Sequence, residues 1–363
     1  MAVKRLNNYD LLRVVATYAV VLLHVTGLWI ISSKGINNHA IITLAYLYND
    51  LSRFAVPCFL MLSGALLMSE ERQLSFWQFY KKSFIKLGIP TIIFSFIYTL
   101  YMFFAYKYGV YNLNGSLLST TLLTRFLRGT PMFHMWFMYM LIWIYIFVPF
   151  VKIIKSSISN TTYTRMGVVF CIVSTLSASV SSGRYVAWDI GRSFEFLSYF
   201  IIGDIIFMNI SAKNNLKGVF FIMGGSLIEI FAGFSAAYKL NNLLKLGTAI
   251  LPVSPISPLT PLATIASVLY FIGFSLLNIK SKKNLRKLSD NSFNIYLIHA
   301  LVIEFLIRIP VFKMGMRYIL NSLLIAICLP LIALIIYLIS YLGCLIYTKL
   351  LDNFRNKKSV IDN

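Results

Sequence analysis

Charged residues are scarce in this chain of 363 residues: Asp, Glu, Lys and Arg make up 12%, against roughly 25% in a soluble globular domain. Hydrophobic residues account for 58%. This composition excludes a water-soluble fold. It also excludes disorder, because 29 Phe and 22 Tyr supply ample apolar surface for packing. The sequence therefore predicts an all-α, polytopic membrane protein whose spans are helices of about 20 residues.

Several motifs of soluble enzymes are also missing. The chain has no phosphate-binding G-x-x-x-x-G-K-[ST] loop, no dinucleotide-binding G-x-G-x-x-G and no H-E-x-x-H. Its four cysteines lie inside apolar runs, without a C-x-x-C pair. This placement is typical of packing thiols rather than of metal ligands or disulfides.

Acidic residues are especially rare, at 12 against 33 Lys and Arg, which gives a formal charge of +21. In a soluble protein such an excess would indicate a nucleic-acid partner. Here the bases lie mostly in the short segments between apolar runs, as in loops held against an anionic inner leaflet. We therefore expect the lipid bilayer as a partner and no nucleic acid.

Ten apolar stretches are long enough to be transmembrane helices. They lie near residues 11–32, 43–68, 84–106, 133–151, 166–181, 193–210, 218–238, 260–279, 291–312 and 318–348. With a cytoplasmic N-terminus, the inner segments carry nearly twice as many Lys and Arg as the outer ones. The prediction is a membrane-embedded domain over residues 1–348, about ten spans with both termini cytoplasmic, and a short basic tail at 349–363.

Ionisable side chains inside apolar spans are costly unless they face the protein interior or a wet cavity, so they mark candidate functional sites. Arg13 and His24 are 11 residues apart in the first span. In an α-helix this spacing places both on one face, about 16 Å apart along the axis.

Arg53 lies near the middle of the second span, where its charge cannot easily reach either membrane surface. It is either a functional cation or half of a structural ion pair. Such a pair would need an intramembrane acid such as Asp204, Glu229 or Glu304. In the same span Pro57 opens the helical hydrogen-bond pattern, and Ser63-Gly64 permits a close approach of helices.

Two further histidines lie at or inside apolar spans. His134 opens the fourth span beside Trp136, and His299 lies in the ninth. Each histidine alone is most simply a core residue, but three such residues together favour a functional interpretation. A three-histidine metal site is the weaker alternative because no ligand spacing supports it, and no metal is predicted.

Five short motifs follow one another along nearly the whole chain. They are Arg13-x10-His24, Arg53 with Phe59 and Ser63-Gly64, Lys81-Lys82-Ser-Phe-Ile-Lys86-Leu-Gly-Ile-Pro90, His134-Met-Trp136-Phe, and Tyr296-Leu-Ile-His299. In order and spacing they resemble the integral-membrane acyltransferase family 3. One departure is Lys86, since that family's third-span motif usually has an arginine there, whose planar fork can bind phosphate with two hydrogen bonds.

The resemblance implies an enzyme, an acyltransferase for groups other than amino-acyl groups. It would most often be an O-acetyltransferase that moves the acyl group from cytoplasmic acyl-CoA, acetyl-CoA above all, to a hydroxyl of a cell-envelope polysaccharide or lipid-linked sugar. It also implies a multi-pass protein of the bacterial cytoplasmic (inner) membrane. The sequence leaves open whether the protein is a homo-oligomer.

The site residues follow from the resemblance and the chemistry together. The expected catalytic residues are His24, Arg13, Arg53 and His299. His24 would be the general base on the acceptor hydroxyl or would carry the acyl group itself, while an arginine would stabilise the oxyanion. The expected substrate-binding residues are Lys81, Lys82 and Lys86, for the anionic head of the donor, together with Ser63, His134 and Trp136.

Two other functions compete with acyl transfer. An exporter or transporter of a polysaccharide or small anion would line its pathway with the same arginines and histidines. Such proteins tend to have paired half-repeats or matched broken helices, and the sequence shows neither. A structural subunit of a glycan-synthesis complex would explain the topology but not the intramembrane arginines and histidines.

Overall fold

A computed structural model describes residues 5–32, 39–69, 75–108, 118–180, 190–245, 260–280, 282–309 and 324–361. Within these ranges the chain is helical and has no β-strand, which confirms the all-α class. The helices are α1 (Asn7–Ser32), α2 (His39–Asp50), α3 (Ala55–Met68), α4 (Phe76–Ser83), α5 (Ile89–Lys107), α6 (Leu118–Leu127), α7 (Trp136–Ser157), α8 (Asn160–Val180), α9 (Ile190–Asn209), α10 (Asn215–Lys245), α11 (Pro261–Leu276), α12 (Lys283–Leu306) and α13 (Ile325–Ile361). A π-helical turn, Phe84–Gly88, joins α4 to α5.

Six stretches of the described residues are long and apolar enough to cross a membrane. They are Asn7–Ile30, Ala40–Met68, Phe76–Lys107, Trp136–Ser157, Asn215–Tyr238 and Ile325–Lys349. A bilayer core offers the backbone no hydrogen-bond partners, so apolar stretches of this length satisfy their own N–H and C=O groups by forming helices. The predicted helical membrane class is confirmed at this level.

A helix also covers part of each of the other four predicted spans, but those helices are shorter or more polar. α11 has 16 residues, α8 is rich in Ser and Thr, and α9 and α12 carry several charged residues. A total of ten spans with both termini cytoplasmic therefore stays a prediction. α13 continues to Ile361, so it includes much of the predicted basic tail.

The chain divides into two compact units. Met1–Phe59 and Ile210–Asn363 form the first unit, and Leu60–Asn209 forms the second. The first unit holds α1, α2 and α10 to α13, and the second holds α4 to α9. The unit boundary falls within the sequence of α3.

In the first unit α1 packs against α2, α12 and α13. Its buried side chain Trp29 belongs to an apolar core that also contains Ile41, Ile295 and Leu329. These contacts bring α1, with His24, beside α12, with His299.

Two tyrosines compensate for a proline in the last helix. Pro330 lies inside α13 and cannot donate a backbone hydrogen bond to Ala326, one turn earlier. The hydroxyl of Tyr48 in α2 donates to the Ala326 carbonyl instead, at 2.7 Å. Tyr18 in α1 donates to the carbonyl of Pro330 itself, at 3.0 Å. Such side-chain hydrogen bonds let a membrane helix tolerate proline.

In the second unit α3 and α9 cross where each has a glycine. A Cβ atom on Gly64 would overlap the backbone of Phe200, and a Cβ atom on Gly203 would overlap the backbone of Met61. Small residues allow such close crossings in membrane proteins. The close approach predicted at Gly64 is confirmed, and its counterpart on α9 is Gly203.

Candidate active site

The packing of α1 against α12 brings His24 and His299 together. Their imidazole rings stack with centroids 5.3 Å apart and planes inclined by 25°. His299 is fully buried, whereas His24 is half-buried. Since α1 is continuous through Arg13 and His24, their predicted spacing on one helix face holds. Two residues from the first and ninth predicted spans thus form one imidazole pair.

A backbone hydrogen bond fixes the orientation of the His299 ring. Its Nδ1 lies 2.6 Å from the carbonyl oxygen of Tyr296, three residues earlier in α12. Because a carbonyl only accepts, Nδ1 carries the proton and donates it. The lone pair of the neutral ring is then on Nε2. This is the atom that can take a proton or attack a carbonyl carbon.

Arg53 lies in a turn formed by residues 51–54, between α2 and α3, and not inside one continuous second helix. Pro57 accounts for the break, because it lacks the N–H that the Arg53 carbonyl would accept in an α-helix. Within the turn, the Arg53 N–H donates to the carbonyl of Asp50, three residues earlier, at 3.0 Å. A cation and an interrupted helix therefore coincide near the middle of the apolar stretch Ala40–Met68.

The anionic partner of Arg53 is Asp50, three residues earlier. The Nε of the guanidinium donates to Asp50 Oδ1 at 2.5 Å, and the Asp50 side chain is fully buried while that of Arg53 is 18% exposed. The ion pair predicted as the structural role of Arg53 thus exists, but with an acid of its own span. Arg53 still reaches the surface of the unit in part.

None of the three acids expected opposite this arginine forms its ion pair. Asp204 is held by Lys155 of α7 at 2.7 Å, and Glu304 by Arg308 at 2.7 Å. Glu229 of α10 is fully buried and lies within electrostatic reach of the ion pair in the turn, without bonding to it. The expectation was wrong because Asp204 and Glu304 form ion pairs with Lys155 and Arg308. Arg53 pairs with an acid only three residues away in the sequence.

Asn49 connects Arg53 to α1. Its Oδ1 accepts a hydrogen bond from Arg53 Nη2 at 2.6 Å. Its Nδ2 donates to the Leu23 carbonyl and to Thr26 Oγ1, each at 3.0 Å. Leu23 directly precedes His24, so this network ties the guanidinium to the turn of α1 that carries the imidazole.

Asp10 organises the opposite end of α1. Arg5 donates to both of its carboxylate oxygens, at 2.7 and 3.0 Å, and Ser289 of α12 donates to Oδ1 at 2.7 Å. The hydrogen bonds to Asp10 and then to Asp290 raise the pKa of Arg5 above its ordinary value. Arg13 approaches the same carboxylate at 3.7 Å with its side chain 33% exposed. The cluster fixes α1 against α12 and leaves Arg13 partly accessible.

Three predicted substrate-binding residues belong to the second unit. His134 is buried and lies edge-on to Tyr98, with ring centroids 4.9 Å apart. The ring of Trp136 lies 5.8 Å from that of Phe196, and Ser63 is half-buried in α3. These surroundings are those of an aromatic core, and a role in substrate binding stays a prediction.

The three predicted donor-binding lysines also belong to the second unit. Lys81 and Lys82 lie in the last turn of α4, and Lys86 lies in the π-helical turn. All three are exposed. In the part of the chain that the structure describes, no group of three or more His, Cys, Asp and Glu side chains is placed to hold a metal ion.

The sequence reasoning missed Asn49 and Asp50. A signal was present, since this polar pair interrupts an apolar stretch at the positions four and three residues before Arg53. Side chains at these spacings are neighbours on a helix surface. The nearest acid of the same span, three residues earlier, is thus the simplest partner for the arginine.

Residues 6–349 match the profile of a family described as an acyltransferase domain. The chain therefore belongs to this acyltransferase family, and the resemblance seen in the motifs is confirmed over essentially the whole length. No curated protein and no solved structure matches the chain.

Proposed function

We propose that the protein is a membrane O-acyltransferase of the bacterial cytoplasmic membrane. It would transfer an acyl group, most simply acetyl, from cytoplasmic acyl-CoA to a hydroxyl of a cell-surface polysaccharide or lipid-linked sugar. Membership of the family supports acyl transfer. The observation that carries the proposal is the stacked pair of His24 and His299, with the proton of His299 fixed on Nδ1. The O-acetyl specificity and the glycan acceptor rest on the resemblance of the motifs.

In the direct route, an imidazole nitrogen takes the proton of the acceptor hydroxyl while the hydroxyl oxygen attacks the thioester carbonyl carbon. The C–S bond then breaks, and the departing thiolate takes the proton from the imidazolium. In the relay route, the imidazole nitrogen first attacks the thioester carbonyl carbon, the C–S bond breaks, and the departing thiolate takes the proton of the ring. The hydroxyl oxygen then attacks the acyl-imidazole, the C–N bond breaks, and the hydroxyl proton returns to the ring. Both routes need a neutral ring with an oriented lone pair.

We assign contact with the substrates to His24 and a positioning role to His299. His24 is half-buried, so reactants can approach it, whereas His299 is fully buried. Two imidazolium rings at a centroid distance of 5.3 Å would repel each other. The pair would therefore hold one additional proton at a time, as closely coupled titrating groups do.

Arg53 is suited to stabilise the oxyanion that forms at the thioester carbonyl. Its contacts with Asp50 and Asn49 use Nε and Nη2, so Nη1 remains to donate to an acyl oxygen. A donor held in place before the reaction stabilises the developing charge without reorganising. The partly exposed Arg13 would attract the anionic head of the donor from the predicted cytoplasmic end of α1.

The test combines a purified and a cellular measurement. Full-length protein in lipid nanodiscs is given acetyl-CoA and a glycan extract, and free thiol and ester-linked acetate are measured. We expect both products with the wild type and neither with His24→Ala. In cells lacking the gene, surface glycan should persist without its ester-linked acetate. Loss of the glycan itself from the surface, with unchanged acetate per sugar, would identify an exporter instead.

A further inference from the structure

One end of the stretch Phe76–Lys107 presents basic and aromatic side chains together. Lys81, Lys82 and Lys86 are all exposed. Beside them, Trp77 is 76% exposed and Phe84 is 55% exposed. These five residues are called the α4 patch below. Large aromatic side chains next to flexible cations are typical of the boundary between membrane and water.

Helix geometry places three of the five patch residues side by side. Trp77 and Lys81 are four residues apart, and Lys81 and Phe84 are three apart, so they are neighbours on the helix surface. Phe79 lies about 160° around the helix from Trp77 and Lys81 and is buried against the protein. Tyr80 lies at the edge of the patch, where its hydroxyl donates to the Ile146 carbonyl at 3.0 Å. All five residues are exposed, so the patch is a surface of the second unit.

The length of the stretch places the patch at the level of lipid head groups. Phe76–Lys107 has 32 residues, or about 48 Å of helix, against a hydrocarbon core of about 30 Å that some 20 residues cross. If the 20 residues that cross the hydrocarbon core end at Lys107, they begin near Gly88. The patch residues come before Gly88 and so lie outside the hydrocarbon core. Ile92 and Phe96 come after it and are exposed apolar side chains that face the acyl chains.

We propose that the α4 patch binds the phosphate groups of anionic membrane lipids. The three ammonium groups complement phosphates arranged in the plane of the membrane, and Trp77 and Phe84 insert between the lipid chains near the head groups. Because the patch is an exposed helix surface followed by the exposed apolar side chains Ile92 and Phe96 of α5, it does not enclose a small soluble ligand in the way ligand pockets do. This favours lipid phosphate over the phosphates of coenzyme A at these lysines.

The test measures lipid retention by the full-length protein. Wild type is reconstituted in nanodiscs of phosphatidylcholine mixed with phosphatidylglycerol, and bound lipid is counted by native mass spectrometry. We expect preferential retention of phosphatidylglycerol. Each lysine near an anionic surface contributes about fivefold in affinity, so Lys81→Gln, Lys82→Gln and Lys86→Gln combined should weaken retention on the order of 100-fold.

A matched control removes the same charge elsewhere. Lys282, Lys283 and Lys287 are also exposed and lie in a segment predicted to be cytoplasmic. Their combined replacement by Gln should change retention much less, since residues 280–290 include no aromatic residue and the apolar Leu285 and Leu288 are only partly exposed. Equal loss in both triple variants would mean general electrostatics and would overturn a specific patch.

Two further outcomes would also overturn the proposal. One is retention of phosphatidylglycerol by the Lys81, Lys82 and Lys86 triple variant at the wild-type level. The other is displacement of phosphatidylglycerol from the wild type by excess coenzyme A, which would assign the lysines to the acyl donor. Thermal unfolding in phosphatidylcholine alone checks that each variant is folded.

Discussion

Arg53 donates from Nη2 to the side-chain oxygen of Asn49 at 2.6 Å, while its Nε is bound to Asp50. Asn49 in turn is bound to the backbone of α1 next to His24. Two hydrogen bonds, to Asp50 and to Asn49, thus fix the orientation of the guanidinium group. Through Asn49, the guanidinium is also connected to the helix turn that carries His24. A residue needed only as a counter-charge for Asp50 would not require the second bond.

Replacement of Arg53 by Lys should impair acyl transfer nearly as much as replacement by Ala. Lysine keeps the charge but lacks the planar fork that bonds Asp50 and Asn49 at once. We expect a loss in kcat of about 10² to 10³, as for the removal of an oxyanion donor. The measurement is acyl transfer per amount of protein found in the membrane. Full activity in Arg53→Lys would reduce the role of this residue to an ion pair.

His24→Ala should abolish transfer, while His39→Ala, a change at the first residue of α2, should leave it intact. Loss of a general base typically costs about 10² to 10⁴ in rate. The readout is ester-linked acetate on surface glycans, after thermal unfolding has shown that each variant is folded. If His24→Ala were active and His299→Ala or His134→Ala inactive, the catalytic role would pass to that histidine. Activity in all three variants would contradict the mechanism.

Asp10→Ala should destabilise the protein by about 1 to 3 kcal/mol, because it removes the acceptor of the buried Ser289 hydroxyl and of the partly exposed Arg5. Asp290→Ala is the matched control, since Asp290 binds the same Arg5 at 2.8 Å but is exposed. An exposed pair contributes about 0 to 1 kcal/mol. Thermal unfolding in detergent compares the two variants. Equal shifts in Tm would argue against a special role of Asp10 between α1 and α12.

Gly203→Ala should greatly lower the yield of folded protein. Its methyl group would overlap the backbone of Met61, which cannot move aside as a flexible side chain can, and overpacking of this kind costs about 1 to 3 kcal/mol or more. Gly224→Ala is the control, because a methyl group there meets only the Leu269 side chain at an ordinary 3.6 Å. Size-exclusion profiles of the two variants should differ, and a normal profile for Gly203→Ala would contradict the crossing of α3 and α9.

Tags at the N- and C-termini should both be cytoplasmic. This expectation rests on the distribution of Lys and Arg among the inner segments. Cysteines introduced at Asn114 or Ser257, which lie outside the described residues, should react with an impermeant reagent added from outside. Labelling of a C-terminal tag from outside would mean an odd number of spans.

The sequence predicted the helical class and the family, and it singled out His24, Arg53 and His299 as candidate site residues, whose roles stay predictions. Each of these follows from local evidence, such as an apolar run or an ionisable side chain within it. It could not predict that His24 stacks on His299, because that contact depends on how α1 packs against α12. It also placed Arg53 in a continuous helix, although the missing N–H of Pro57 breaks the helix before it.

The π-helical turn Phe84–Gly88, in which the Ile89 N–H bonds the Phe84 carbonyl, is equivalent to one residue inserted into an α-helix. Because this wide turn spends five residues where an α-turn spends four, deleting a single residue such as Ile85 would let the chain continue as a regular α-helix into α5 with α4 near its present orientation. The same deletion inside the regular helix α5 would instead rotate everything before it by about 100° and turn Trp77 and Lys81 away from their exposed side. The π-helical turn is thus a place where the chain can lose one residue without changing which residues of α4 are exposed.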